Sequence, residues 1–88
     1  SLHDIDSENP KNWNLKGNIQ LLLGDYYDAI ESYSKAINIQ YEYPEAYYNR
    51  GLAYLMTYRP YEGCDDLQKA LDFNYIKAKK IITTFCGH

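Results

Sequence analysis

The side chains of this chain that could do covalent chemistry are few and lie far apart. Cys64 and Cys86 are the only thiols, and both histidines, His3 and His88, sit at the ends of the sequence. A nucleophile needs a base and an orienting group within reach, and no such grouping is legible; nor is a glycine-rich phosphate loop or a metal-ligand spacing. Two cysteines without a pattern are too few for a disulfide framework or a zinc site. Cys64 stands at an apolar place and reads as a buried thiol behaving as a small hydrophobe, with Cys86 partly exposed. The acids Asp25, Asp28, Glu31, Asp65 and Asp66 have no histidine near them and read as a solvated outer face. Lys77, Lys79 and Lys80 form a basic helix end. No catalytic residue, cofactor or metal is therefore expected. The chemistry that remains is non-covalent: the amides of Asn18 and Asn49 offer donors and acceptors suited to an extended backbone, and Leu15, Tyr48, Leu52 and Met56 offer apolar surface.

Composition narrows the class of protein. Eighty-eight residues make at most one small domain with a marginal core. Hydrophobic residues at 45% and charged residues at 24% fit a globular chain and argue against disorder. The net charge of -3 argues against a general nucleic-acid binder. Apolar runs such as Leu21 to Leu23 are too short to span a membrane, and the first ten residues, SLHDIDSENP, do not resemble a signal peptide. A reduced, cytoplasmic setting is the expectation. The sequence begins without methionine, which fits a segment cut from a longer parent.

The elements that must position these groups are set by an internal repeat. Residues 10 to 43 laid over residues 44 to 77, an offset of 34, align Pro10 with Pro44, Gly17 with Gly51, Leu21 with Leu55, Tyr27 with Tyr61, Lys35 with Lys69, Ala36 with Ala70 and Tyr41 with Tyr75. Each unit reads as two helices. In the first unit, Asn9 caps, Pro10 opens, and Gly24 supplies a left-handed stop. Tyr26, Tyr27, Ile30, Tyr33, Ala36 and Ile37 then recur at helical spacing up to about Gln40. The second unit places helices near Pro44 to Thr57 and Pro60 to Phe73, and IKAKKIITTFC resumes the pattern as a fifth helix. Glycine inside a helix costs about 1 kcal/mol relative to alanine, so Gly17 and Gly51 imply close crossings, opposite Ala29 and Gly63 respectively. Tyr26, Tyr27, Tyr33 and Tyr61 read as packing residues.

WNLKG and YYNRG opening the units, with GDYYDAIESYSKAI and RPYEGCDDLQKAL closing them, resemble the tetratricopeptide repeat. The resemblance covers Pro10 to Lys77. It implies an all-α superhelix of antiparallel helix pairs, with about five helices. Residues 1–9 are an extension, 10–43 and 44–77 the repeats, and 78–88 a capping or partial third-repeat helix. Tyr41 and Tyr75 stand where the family commonly has proline. Tyr58 replaces Gly24, so a left-handed turn there would be strained.

The family further implies a non-catalytic adaptor or scaffold that binds an extended peptide of another protein along the first helix of each pair. The expected groove residues are Lys11, Asn14, Leu15, Asn18 and Leu22, then Glu45, Tyr48, Asn49, Leu52 and Met56, then Lys79, Thr83 and Cys86. Tyr48 is expected to point away from Tyr47 into the groove. Some members clamp the C-terminal carboxylate of chaperone peptides. Asn18, Asn49 and Lys79 match that pattern, whereas Asn14 replaces its first lysine and Thr83 its arginine. Nucleic acid, membrane and small-molecule substrates are not expected as partners. The alternative is self-association, through a last helix that shows Ile76, Ile81, Ile82 and Phe85, or a structural segment of a longer repeat protein.

Overall fold

The computed structural model describes residues 8–87. Its first helix, α1 (Pro10–Leu23), starts where local chemistry requires. The Asn9 side chain accepts from the Lys11 N–H at 3.0 Å, and Pro10 occupies a first-turn position where its missing N–H costs nothing. Gly24, at φ 82°, ends the helix in the left-handed conformation. The Asp25 N–H then reaches back to the Gln20 carbonyl at 2.8 Å, which satisfies one of the last carbonyls of the helix. The remaining helices are α2 (Tyr26–Ile39), α3 (Pro44–Met56), α4 (Pro60–Asp72) and α5 (Lys77–Phe85); no strand occurs among the described residues.

The same left-handed stop recurs one period later on a residue poorly suited to it. Tyr58 closes α3 at φ 62°, with the Arg59 N–H bonded to the Tyr54 carbonyl at 2.9 Å. A tyrosine there costs roughly 1–2 kcal/mol that glycine avoids. Asn74, at φ 72°, ends α4 more cheaply, because asparagine tolerates this region.

α1 packs on α2, α2 on α3, α3 on α4 and α4 on α5, so two antiparallel hairpins and a final helix stack into an elongated array of 47 × 26 × 17 Å. Tyr33 and Leu67, one period apart, are the large side chains buried without exposure, one in each hairpin. The close crossings are present, with different contacts in the two units. In the second, a Cβ on Gly51 would lie 3.0 Å from the Gly63 carbonyl oxygen, as the repeat predicts. In the first, a Cβ on Gly17 would lie 2.7–2.9 Å from the Tyr33 ring, so the aromatic side chain and not Ala29 demands the glycine. Tyr41 and Tyr75, at the places where proline is common, contribute rings instead. Tyr41 meets Tyr47 and Phe73 edge-on at 6.1 and 5.9 Å, and Tyr75 tilts against Tyr48 at 5.0 Å.

Three expectations about individual side chains are corrected. Tyr27 and Tyr61 are 66% and 85% exposed and pack nothing centrally, because the second helices turn their i+3/i+4 stripe one position away from them. Asp66 is buried, not solvated. Cys64 and Cys86 are joined in a disulfide with a Cα–Cα distance of 5.9 Å, so neither is a free thiol. That bond ties α4 to the residue that caps α5, and it removes the basis for a reduced setting. His3 and the other residues of 1–7, and His88, lie outside the described residues.

The disulfide closes a loop with a sequence separation of 22, which confines the unfolded chain by about 3 kcal/mol on loop-entropy grounds. A dithiol reductant is accordingly expected to lower the thermal midpoint by at least about 10 °C, the scale for a domain of this size. Circular dichroism melts with and without reductant check this. An unchanged midpoint would show that α5 holds its place without the bond.

Candidate functional site: the face of the first helices

The two amides singled out by the sequence meet. α1 and α3 lie close enough for Asn49 Nδ2 to donate to Asn18 Oδ1 at 3.2 Å, and the Tyr33 hydroxyl donates to the same oxygen at 2.6 Å. Asn18 and Asn49 are half-buried. Among the described residues, Asn18 Nδ2 and Asn49 Oδ1 have no protein partner, so one donor and one acceptor remain side by side for a ligand backbone.

Beside this pair opens a cleft of about 780 Å3, walled by apolar surface. Leu52, Leu55 and Met56 from the last turns of α3 form its floor, and Leu21 and Tyr26 border it from the first hairpin. Tyr58, Pro60 and Phe85 complete the rim. Leu52 and Met56 are thus brought together as the sequence anticipates. The other six positions were not anticipated as groove. Tyr58 carried a signal, a bulky residue where its counterpart is glycine, although it was readable only as strain. Its side chain is 92% exposed.

The remaining groove candidates divide. Lys11, Leu15, Leu22, Glu45, Lys79 and Thr83 are exposed, and Thr83 spends its hydroxyl on the Lys79 carbonyl at 3.0 Å. Two candidates are misplaced. Tyr48 is 6% exposed and packs inside against Tyr75, with Lys77 Nζ 5.5 Å from its ring, because the α4–α5 connection and the first residue of α5 lie over the side of α3 that carries it. Asn14, one period before Tyr48, is 4% exposed, and its Oδ1 is buried without a partner among the described residues. Cys86 is half-buried in its disulfide. Of the carboxylate-clamp positions, Asn14 therefore presents nothing to a ligand.

Behind the site a buried ion pair joins the two helices of the second hairpin, and its arginine also reaches the first. Arg50 on α3 donates from Nε and Nη2 to the two carboxylate oxygens of Asp66 on α4, at 2.7 and 2.8 Å, and from Nη1 to Ser34 on α2 at 3.0 Å. Burial pushes the Asp66 carboxyl up, against the pull of the Arg50 fork. No cluster of metal-ligating side chains occurs among the described residues, and no described helix is long and apolar enough to cross a membrane.

Tyr33 couples this face to the core. Burial, and secondarily the charge of Glu45, pushes its phenol well above the ordinary tyrosine range. A raised pKa means that the folded protein disfavours the phenolate. The stability that Tyr33 contributes is complete below about pH 10 and is lost as pH rises toward its folded-state pKa, at about 1.4 kcal/mol per pH unit. Urea midpoints are expected to fall above pH 10, and to fall less steeply in Tyr33→Phe. Tyr43 and Tyr47, also raised chiefly by burial, keep the variant's midpoint falling as well.

A family model described as TPR repeat matches residues 17–57. Among solved structures, a crystal structure of MamA matches with a TM-score of 0.79 over 82% of this chain, at 20% sequence identity. This chain spans 43% of the length of that one, and at such identity the likeness is one of fold. Curated proteins yield no match.

Proposed function

We propose that this chain, which is built of tetratricopeptide repeats, is a non-catalytic interaction module that binds an extended segment of a partner protein along its first helices. What supports this is the placement of the Asn18–Asn49 pair one helical turn before Leu21 and Leu52 of the apolar cleft: apolar side chains of the segment enter the cleft while its backbone meets the unused amide donor and acceptor. The segments that fit best carry large aliphatic or aromatic residues. A chaperone-type C-terminal peptide is one such form, with Lys79 as the cation for its carboxylate; amidating the peptide C-terminus weakens binding only in that case.

Selection of displayed peptides against the folded protein tests the proposal. Enrichment of peptides with large apolar residues is expected, and Met56→Glu is expected to weaken them about tenfold, or 1.4 kcal/mol. Tyr58→Gly separates binding from stability. Removing the left-handed tyrosine should raise the urea midpoint while binding weakens, since the rim is lost. Absence of enrichment, or affinities unchanged in Met56→Glu, would overturn the proposal.

A further inference from the structure

α1 is apolar on two sides, and only one of them is covered. Gly17 and Leu21 face the interior, whereas Leu15, Ile19, Leu22 and Leu23 are 57%, 59%, 87% and 70% exposed. Their spacing of i, i+4, i+7 and i+8 makes a single stripe along the outer side of the helix. The repeat shows what such a face is for. Ala53 holds in α3 the register place of Ile19 and is fully buried, in a helix with a preceding hairpin beside it; no hairpin of the described residues lies beside α1. The stripe is thus at a packing position, and it carries larger apolar groups than its buried counterpart.

We propose that this stripe is a contact between two copies of the chain, whose α1 helices pair antiparallel about a two-fold axis near Ile19. Head-to-tail stacking is not open to a second copy, because the side of α4 that would continue the stack is covered by α5. The last helix also forbids extension by the same rule: two periods after Gly17, the place of the close crossing is taken by Phe85, 62% exposed. An isologous pair remains. Charge selects its direction. The exposed Lys11 and Lys16 lie in the N-terminal half of α1, which has no acidic residue, and the exposed Asp25 and Asp28 lie just beyond its C-terminal end. Antiparallel pairing sets Lys11 toward the partner's helix end, where Asp25 and Asp28 follow, with Lys16 at Leu22 on the same approach, and it sets the helix dipoles in their favourable sense; parallel pairing sets like against like. Glu8 precedes the helix and falls outside the apolar overlap. Leu15 and Leu22, expected from the sequence to face the groove, belong to this stripe, and none of its four residues lines the cleft on which the peptide reading rests.

Sedimentation of the whole chain at concentrations up to about 1 mM, a range in which interfaces below about 1,200 Å2 assemble, is expected to show twice the monomer mass. Ile19→Asp should return the mass to that of the monomer with an unchanged helical signal, and added salt should weaken the pair. Direction is read by cross-linking. Leu15→Cys mixed with Leu23→Cys should form an intermolecular disulfide on mild oxidation with a disulfide reagent, faster than either variant alone. A monomer throughout the range overturns the proposal and leaves the stripe to another hairpin or another protein. A doubled mass that survives Ile19→Asp, or self-linking of Leu15→Cys faster than the mixture, overturns it equally.

Discussion

Replacing Asp66 by alanine is expected to cost about 3–5 kcal/mol, a large part of the 5–15 kcal/mol available to a small domain. The carboxylate accepts two hydrogen bonds from one face of the Arg50 guanidinium, in a site where the two side chains are 8% and 18% exposed. Without it the guanidinium keeps its charge and a single bond to Ser34. The loss is therefore dominated by an uncompensated buried charge, and the attraction itself is the smaller part. Two controls make this specific. Asp65→Ala removes an exposed acid next in sequence and should change stability by less than about 0.5 kcal/mol. Removing both partners, in Arg50→Met with Asp66→Leu, should recover most of the loss. Urea denaturation of the wild type and the three variants reads these differences, and equal losses in Asp65→Ala and Asp66→Ala would mean that the pair does not hold α3 and α4 together.

The same residue shows where sequence reading stops. Asp65 and Asp66 are adjacent acids on a helix with an acidic outer side, and nothing local says that the second turns inward; its partner comes from another helix, 16 positions away. The disulfide was hidden for a related reason, since Cys64 and Cys86 approach only because α5 folds back on α4. Tyr48 was misread because its direction relative to Tyr47 is local and correct, whereas the cover that Tyr75, in the α4–α5 connection, places over it is not local. By contrast, the cap at Asn9, the stop at Gly24 and the left-handed strain at Tyr58 depend on the chain within a few residues and were legible. So was the fold, because a period of 34 with glycine at each crossing repeats a local rule. Of the site, Asn18, Asn49, Leu52 and Met56 were legible as members of one face. The contributions of Tyr58, Pro60 and Phe85 required the turn and the last helix to be in place.

Gly51→Leu is expected to abolish the cooperative folding transition, and Gly51→Ala shows why size decides it. Alanine in the middle of a helix gains about 1 kcal/mol over glycine. Its Cβ would meet the Gly63 carbonyl oxygen and Leu67 Cγ at 3.0 Å, with Asp66 Cβ at 3.3 Å. A backbone oxygen cannot swing aside, so α3 and α4 must separate by a few tenths of an ångström, against an overpacking cost of about 1–3 kcal/mol. The net for alanine is a modest loss. Leucine adds three more carbons in the same gap, and separating the helices enough to admit them breaks the Arg50–Asp66 pair, so the two losses compound. Loss of the helical signal and of any denaturation midpoint in Gly51→Leu is the expected result. Gly63→Leu should match it, because its Cβ would meet the Gly51 carbonyl oxygen at 3.0 Å from the other side. Gly24→Leu meets nothing within 4 Å and should lose only the cost of a left-handed backbone, roughly 1–2 kcal/mol, while remaining folded. A folded Gly51→Leu protein with its α3–α4 packing intact would mean that the close approach of the two helices is not what fixes the hairpin.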